Sequence, residues 1–215
     1  MDKIIKTISL MEKQSKAFIV PSVTQFSFKN DPYLVLISCV LSLRTKDTTT
    51  IEAAKRLFKA ANSPSKMVNL PLSRLQKLIY PVGFYRNKAK FILEMSRQII
   101  EDFKGAVPDK FDDLLKLKGV GRKCANLVLG LGYNIPAICV DTHVHQISNR
   151  LGWLKTKTPE QTEEALKKIV PKGHWIKLNT ILVTFGQNIC VPVSPYCNMC
   201  FVRTLCKRVG VKNWR

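Results

Sequence analysis

The sequence lacks a long hydrophobic run and a recognisable export signal. Its longest mostly apolar stretch, Tyr33 to Leu43, is too short to cross a bilayer. The first residues, Met1 to Lys6, have neither the long apolar core nor the small-residue cleavage pattern of a secretion signal. We therefore expect an intracellular protein that is not secreted.

Acidic residues are also scarce. The 215 residues include 15 Asp and Glu against 35 Lys and Arg, which gives a formal net charge of +20. Such a field attracts polyanions, and nucleic acid is the usual one. An anionic membrane surface is the alternative, but the basic residues are spread along the chain rather than gathered on one amphipathic helix. We expect a nucleic-acid partner and a cytoplasmic or nucleoid-associated protein.

No convincing strand alternation, internal repeat, low-complexity tract or flexible linker is found. Helical periodicity dominates, so the sequence predicts an all-α fold of roughly ten helices. Asp31 with Pro32, and Thr158 with Gln161, form typical helix starts. Further helices are predicted over residues 2–17, from 47 or 48, over 65–69, 72–79, 87–103, 141–151 and 173–188.

A glycine-containing segment between two apolar helical stretches is the first candidate site. It reads Leu117-Lys118-Gly119-Val120-Gly121-Arg122-Lys123. Glycines adopt backbone angles that other residues resist and let the chain approach a ligand closely. The free N–H groups at the start of the second helix attract a phosphate oxygen. The simpler interpretation is a turn with one solvated lysine, but the basic composition favours a site, with Lys123 at its mouth.

A second candidate follows a short apolar run and reads Val140-Asp141-Thr142-His143. Asp141 is placed to cap the next helix through its carboxylate. A cap and a functional carboxylate are compatible, because the cap would hold the side chain in place. We interpret His143 as mainly structural.

Four of the seven cysteines crowd the C-terminal part of the chain as C-x6-C-x2-C-x5-C, and they are Cys190, Cys197, Cys200 and Cys206. Cysteines in a reducing compartment at this density indicate a metal site rather than disulfides. Structural zinc usually takes two close-spaced pairs, and only one is present here. The spacing therefore favours an iron–sulfur cluster without excluding zinc. Cys39, Cys124 and Cys139 lie in apolar surroundings and are predicted to be core residues.

The glycine segment, the Val-Asp-Thr-His segment and the cysteine spacing, in this order, resemble the endonuclease III family of helix-hairpin-helix DNA glycosylases. The resemblance extends from about Phe26 to Cys206. It implies a two-lobed all-α fold, with residues 25–135 forming a six-helix lobe that contains the hairpin at about 112–132. The second lobe would combine residues 1–24 and 136–215 and would carry one [4Fe-4S] cluster in the loop 190–206.

The resemblance also implies an activity. The protein would be a bifunctional DNA glycosylase and abasic-site lyase of base excision repair, acting as a monomer on oxidised pyrimidines in double-stranded DNA. Lys123 and Asp141 would be catalytic and would face each other across the DNA cleft. An amine nucleophile at the sugar C1′ leaves a Schiff base that permits β-elimination. Asp141 would accept a proton or stabilise positive charge on the sugar.

Further residues are expected to touch DNA. A glycosylase must take its target base out of the stack, and Arg44 and Phe84 lie on turns where this family places wedge residues. Arg44 stands where a glutamine is usual, and Lys118 where a proline is usual. The other expected contacts with the DNA backbone are the hairpin residues Lys118, Gly119, Val120, Gly121 and Arg122, together with Arg86, Lys88, Arg203 and Lys207.

Two alternatives remain open at this point. One is a monofunctional mismatch or damaged-base glycosylase of the same fold, which Lys123 argues against because those enzymes lack a lysine at this position. The other is a non-catalytic iron–sulfur protein that only binds DNA, since glycine hairpins often merely hold phosphates. Lys123 and Asp141 together argue against it.

Overall fold

Every regular element in the part of the chain that the computed structural model describes, residues 2–27 and 31–215, is helical. The α-helices are α1 (Asp2–Ser15), α2 (Ser22–Ser27), α3 (Pro32–Ser42), α4 (Asp47–Ala60), α5 (Pro64–Val68), α6 (Leu72–Ile79), α7 (Tyr85–Phe103), α8 (Phe111–Lys116), α9 (Arg122–Leu127), α10 (Thr142–Arg150), α11 (Pro159–Ile169) and α12 (Trp175–Asn188). A π-helical turn spans Val128–Gly132, and 3-10 turns span Lys172–His174 and Cys197–Met199. The all-α prediction is confirmed.

The chain divides into two compact units. One comprises Ser22–Ile135, and the other combines Met1–Pro21 with Pro136–Arg215. No helix among the described residues is both long and apolar enough to cross a membrane.

Helix α3 is the centre of the Ser22–Ile135 unit. Asp31 caps it, with its carboxylate accepting the N–H groups of Tyr33 at 2.9 Å and Leu34 at 3.3 Å, and Pro32 occupies its first turn. Nine of its eleven residues are buried, as expected of a helix that is apolar on all sides. It packs against α2, α4, α7, α9 and the π turn.

The π turn was not predicted from the sequence. It follows α9 directly, and Gly132 brings its backbone against α3. A Cβ atom at Gly132 would lie 2.9 Å from the Cα of Pro32, so a larger residue would push the two segments apart. This close packing holds the second hairpin helix to the core.

The other unit is built on α12, which packs against α1 and α10. Its core includes residues Ile8, Met11, Ile138, Val144, Ile147, Leu178, Leu182 and Phe185. The predicted cap of α11 is confirmed, since the Thr158 hydroxyl accepts the Gln161 N–H at 3.3 Å. The Gln161 side chain accepts in return from the N–H of Lys157 rather than from that of Thr158.

Three predicted helix boundaries differ from the observed ones by two residues. Helix α1 ends at Ser15 rather than at residue 17, and α7 begins at Tyr85 rather than at Asn87. Helix α12 begins at Trp175, after a 3-10 turn. Helix α2 was not predicted at all.

Candidate functional site

The glycine segment forms a tight turn between α8 and α9. The Val120 N–H donates to the Leu117 carbonyl at 3.1 Å, and Gly119 has a φ of +78° at the position where a type II turn requires a positive value. Gly121 instead has an extended backbone, φ −104° and ψ 176°, which any residue adopts. The expectation of a special backbone angle is therefore right for Gly119 and wrong for Gly121. A Cβ atom at Gly121 would meet nothing within 4 Å, so the surface there is open.

Gln98 of α7 fixes the entry to this turn. Its side-chain amide donates to the Lys116 carbonyl at 3.1 Å and accepts the Lys118 N–H at 3.3 Å. One side chain thus satisfies two backbone groups of the hairpin. Sequence reasoning missed this residue.

Two more residues of α7 lie under the hairpin. The ring of Phe91 would be 3.5 Å from a Cβ atom at Gly119, and Glu94 lies 3.9 Å from the Lys118 ammonium. Together with Gln98 they occupy positions i, i+3 and i+7, which share one helix face. The spacing of these three residues can be read from the sequence, but the segment that packs on this face of α7 cannot.

Lys123 lies in the first turn of α9 and is half-buried. The following residue, Cys124, is buried against α3, where a hydrogen bond with Cys39 and the nearby charge of Lys123 lower the pKa of its thiol despite its burial. The guanidinium of Arg122 lies 5.0 Å from the centre of the Phe111 ring, a cation–π contact across the hairpin. Cys39, Cys124 and Cys139 are all buried, as predicted.

Asp141 is the N-cap of α10, as predicted. Its Oδ1 accepts the Val144 N–H at 2.9 Å, and its backbone is extended. The preceding segment is fixed to α12, because the Asn179 amide donates to the Cys139 carbonyl at 3.2 Å. The carboxylate is therefore held at the start of a helix while remaining half-buried.

His143 packs against α12. A Cβ atom at Gly186 would lie 2.4 Å from its Nδ1, so the imidazole occupies the space that the glycine leaves. This contact agrees with the structural interpretation of His143.

The four C-terminal cysteines, Cys190, Cys197, Cys200 and Cys206, line one pocket with apolar neighbours. In the described residues, no group of three or more His, Cys, Asp or Glu side chains is arranged to hold a single metal ion. A single zinc ion needs thiolates about 2.3 Å away from it, whereas a cluster of several irons holds its four thiolates farther apart. The four thiols that line the pocket supply the donor set that either kind of centre requires.

Arg150 connects α10 to the cysteine loop, a role that was not predicted from the sequence. Its guanidinium donates to the Cys190 carbonyl at 3.3 Å, the Val191 carbonyl at 2.8 Å and the Pro192 carbonyl at 2.6 Å. It also lies 3.5 Å from the Cys190 sulfur. Because it lies in the last turn of α10, its only local signal was that of an ordinary helix C-terminus.

Burial raises the pKa of three of these thiols. The pKa of Cys200 rises to about 11, and those of Cys190 and Cys206 rise as well, with the charges of the neighbouring cysteines adding to the effect. Thiolates gathered here therefore require compensating positive charge.

Arg44 and Phe84 come together on neighbouring turns of the Ser22–Ile135 unit. The Arg44 guanidinium lies 5.8 Å from the centre of the Phe84 ring, and the Phe84 side chain is 61 % exposed. Both residues have a positive φ, 51° and 57°, which is uncommon for residues with side chains. Two exposed side chains thus stand side by side on strained turns.

The basic residues expected at the DNA backbone separate into two groups. Arg86, Arg203 and Lys207 are exposed, and so is Lys118. Lys88 is a correction, because its side chain is buried and bonded to backbone carbonyls. The sequence could not distinguish it from its exposed neighbours.

The predicted residues belong to different units. Arg44, Phe84 and the hairpin with Lys123 lie in Ser22–Ile135. Asp141, the four cysteines, Arg203 and Lys207 lie in the other unit.

Comparison with known proteins identifies the class. Residues 37–172 match the model of the HhH-GPD superfamily base excision DNA repair proteins. The chain is 50 % identical over 179 residues to endonuclease III of Thermotoga maritima, covering 83 % of this chain and 84 % of that protein. It is 42 % identical over 183 residues to the chloroplastic endonuclease III homolog 1 of Arabidopsis thaliana, covering 81 % of this chain but about half, 48 %, of that longer protein.

A solved structure agrees with these matches. An endonuclease III trapped as a covalent intermediate with DNA superposes with a TM-score of 0.83 at 33 % identity, covering 96 % of this chain and 95 % of that one.

An all-helical chain with a basic glycine hairpin is thus a DNA-binding protein of the helix-hairpin-helix class. It belongs to the HhH-GPD superfamily of base excision DNA repair proteins. Its activity is that of a bifunctional DNA glycosylase and abasic-site lyase, as its similarity to endonuclease III indicates.

Proposed function

We propose that the chain excises oxidised pyrimidines from double-stranded DNA through a Schiff base on Lys123. The observation that carries this assignment is a half-buried lysine in the first turn of α9, directly after the open glycine turn. The amine attacks C1′ of the sugar, the bond to the base breaks, and the base leaves with that electron pair and takes up a proton. The C1′–O4′ bond of the sugar ring then opens and O4′ takes up a proton, which leaves a protonated Schiff base between C1′ and the lysine. Loss of a C2′ proton from this Schiff base expels the 3′ phosphate, and water releases the lysine.

The surroundings of Lys123 favour this role. A lysine is a nucleophile only in its unprotonated form. Arg122 and Lys118 lie on the same hairpin as Lys123 and supply positive charge for DNA binding. Lys118, the turn residues Gly119, Val120 and Gly121, and Arg122 hold the DNA backbone without reading its sequence.

Asp141 assists the reaction through its charge, as proton acceptor or as stabiliser of the positive charge that develops on the sugar. Its cap bond to Val144 fixes the carboxylate, so little ordering is needed when DNA binds.

Cys190, Cys197, Cys200 and Cys206 hold one [4Fe-4S] cluster. The cluster, when bound, supplies positive iron centres to the buried thiolates and cross-links the loop. Arg150 orients Cys190 for this purpose, while the exposed Arg203 and Lys207 contact DNA phosphates.

Arg44 and Phe84 enter the DNA stack where the target base has left. Their exposed, adjacent side chains support this assignment, because a flipped base leaves a gap that an aromatic or planar group fills. The protein acts as a monomer.

The test compares Lys123→Ala with wild type on a duplex that contains one thymine glycol, an oxidised pyrimidine. We expect unchanged duplex binding in a gel-shift assay and complete loss of base release and nicking. The control is Lys110→Ala, a basic residue outside the turn. Base release that persists without nicking would indicate the monofunctional alternative, and binding without any activity in wild type would indicate the non-catalytic one.

A further inference from the structure

Lys88 is a buried lysine that the reaction described above does not use. It lies in the first turns of α7 and is only 5 % exposed. Its ammonium donates to the Leu41 carbonyl at 2.8 Å, the Leu43 carbonyl at 2.5 Å and the Thr45 hydroxyl at 3.2 Å. An ammonium has three N–H donors, and each has a partner here.

These acceptors belong to the end of α3 and to the turn that carries Arg44. Carbonyls in the last turn of a helix lack partners within the helix, and a cation is the natural group to satisfy them. Lys88 therefore links α7 to the turn after α3.

Thr45 extends this link to the second turn. Its hydroxyl oxygen accepts the Gly83 N–H at 3.1 Å in addition to the Lys88 bond. The two turns are in close contact there, since a Cβ atom at Gly83 would lie 2.6 Å from the Arg44 carbonyl oxygen. Lys88, Thr45 and Gly83 thus join the turns on which Arg44 and Phe84 stand.

Both turns need such support. Arg44 and Phe84 have left-handed backbones, which are strained for L-amino acids. A strained residue persists only where its surroundings fix it. The neighbouring bonds of Lys88 supply that constraint from inside the protein.

We propose that Lys88 is a positioning residue for base flipping, which holds the Arg44 and Phe84 turns together so that both side chains enter the DNA stack as one unit. The inference rests on the proposed wedge function of Arg44 and Phe84. Lys88 itself touches neither DNA nor the reacting sugar.

The protonation of Lys88 gives this role a pH signature. Burial lowers its pKa to about 8, with the charge of Cys124 on α9 acting in the opposite direction. In the described residues, no titratable group of α3, α5 or α6, the helices packed on α7, adds to these effects. Above this pH the neutral amine has two donors for three acceptors, so the link between the turns weakens.

The experiment uses Lys88→Met, which keeps the length of the side chain and removes its donors. The matched control is Lys90→Met, an exposed lysine on the same helix. Two duplexes are compared under single turnover, one with a thymine glycol and one with an abasic site. An abasic nucleotide has no base to unstack, so its extrusion needs less help.

We expect Lys88→Met to slow base excision by about ten- to a hundredfold, the scale of a misplaced positioning group. Nicking of the abasic duplex should change by less than about threefold, since that step needs less help with extrusion. The decline of excision above pH 8 in wild type should be absent from the variant. Equal loss on both duplexes, or no loss on either, would overturn the proposal.

Three further variants keep the outcomes distinct. Thr45→Val breaks the same link without touching Lys88 and should reproduce the selective loss of excision, which covers the case in which Lys88→Met does not fold. If excision by Phe84→Ala and Arg44→Ala is unaffected, the wedge assignment itself fails. If these two variants lose excision while Lys88→Met and Thr45→Val retain it, only the role of Lys88 fails.

Discussion

The carboxylate of Asp141 caps α10 and is also proposed to assist the reaction. Two substitutions separate these roles. The Oδ1 atom of Asp141 accepts the Val144 N–H at 2.9 Å. Asparagine caps a helix about as well as aspartate, whereas alanine cannot cap. Asp141→Asn therefore removes the charge and keeps the cap, and Asp141→Ala removes both.

The expected losses of stability and of rate follow from what each variant removes, the cap or the charge. Loss of a cap costs about 1 kcal/mol, which for a chain of this size lowers the Tm by about 2–4 °C. We expect that loss for Asp141→Ala, and for Asp141→Asn a loss of at most about 0.5 kcal/mol, from the lost attraction to the helix dipole. Both variants should lose about 10²- to 10⁴-fold in the rate of base excision, as when an acid–base group is removed.

The assay pairs thermal unfolding with single-turnover excision on the thymine glycol duplex. Thr158→Ala is the matched control, because it removes a cap from α11 in the same unit. It should lose similar stability and no activity. The role of Asp141 in the reaction would be refuted by nearly full activity in Asp141→Asn, or by a loss of activity in Thr158→Ala that equals the loss in Asp141→Asn.

Further predictions concern the hairpin, the cysteine loop and the packing of α12. Gly119→Ala places a side chain at a φ of +78° and should destabilise the protein by about 1–2 kcal/mol in urea unfolding. An unchanged unfolding midpoint would contradict the turn geometry. Lys118→Ala should reduce the slope of log affinity against log salt by about 0.9, measured by fluorescence anisotropy with duplex DNA. Cys200→Ala should abolish the visible absorbance and the iron content of the purified protein, whereas Cys39→Ala, a buried core cysteine, should retain both. Gly186→Ala forces a Cβ atom to within 2.4 Å of the His143 Nδ1 and should lower the free energy of unfolding by about 1–3 kcal/mol. A Tm equal to that of wild type would refute this contact.

Local signals in the sequence predicted the helix starts well. Asp31, Asp141 and Thr158 cap their helices as expected, because a cap is a bond between residues only two or three positions apart. The turn at Gly119 was equally local. Such features do not depend on the rest of the fold.

Long-range contacts were not predictable in the same way. Gln98 holds a turn 20 residues away, and Arg150 holds the loop at Cys190, 40 residues away. Lys88 was predicted to contact the DNA backbone because lysine is mostly exposed, and only its partners at the end of α3 explain its burial. Residues of this kind are identified by tertiary packing, which one sequence does not reveal.

The cysteine spacing was informative without being decisive. It predicted that Cys190, Cys197, Cys200 and Cys206 would gather, and they line one pocket. The preference for a cluster over zinc came from the spacing, which contains one close pair rather than two, and from the resemblance to the endonuclease III family.

The most direct test of the central claim is borohydride trapping on a duplex with one abasic site, comparing wild type with Lys123→Gln. Borohydride reduces a Schiff base to a stable amine, which leaves a covalent protein–DNA adduct. We predict an adduct with wild type and none with Lys123→Gln, although both bind the duplex. An adduct of equal yield with Lys123→Gln, or none with an active wild-type protein, would contradict the assignment of Lys123 as the nucleophile.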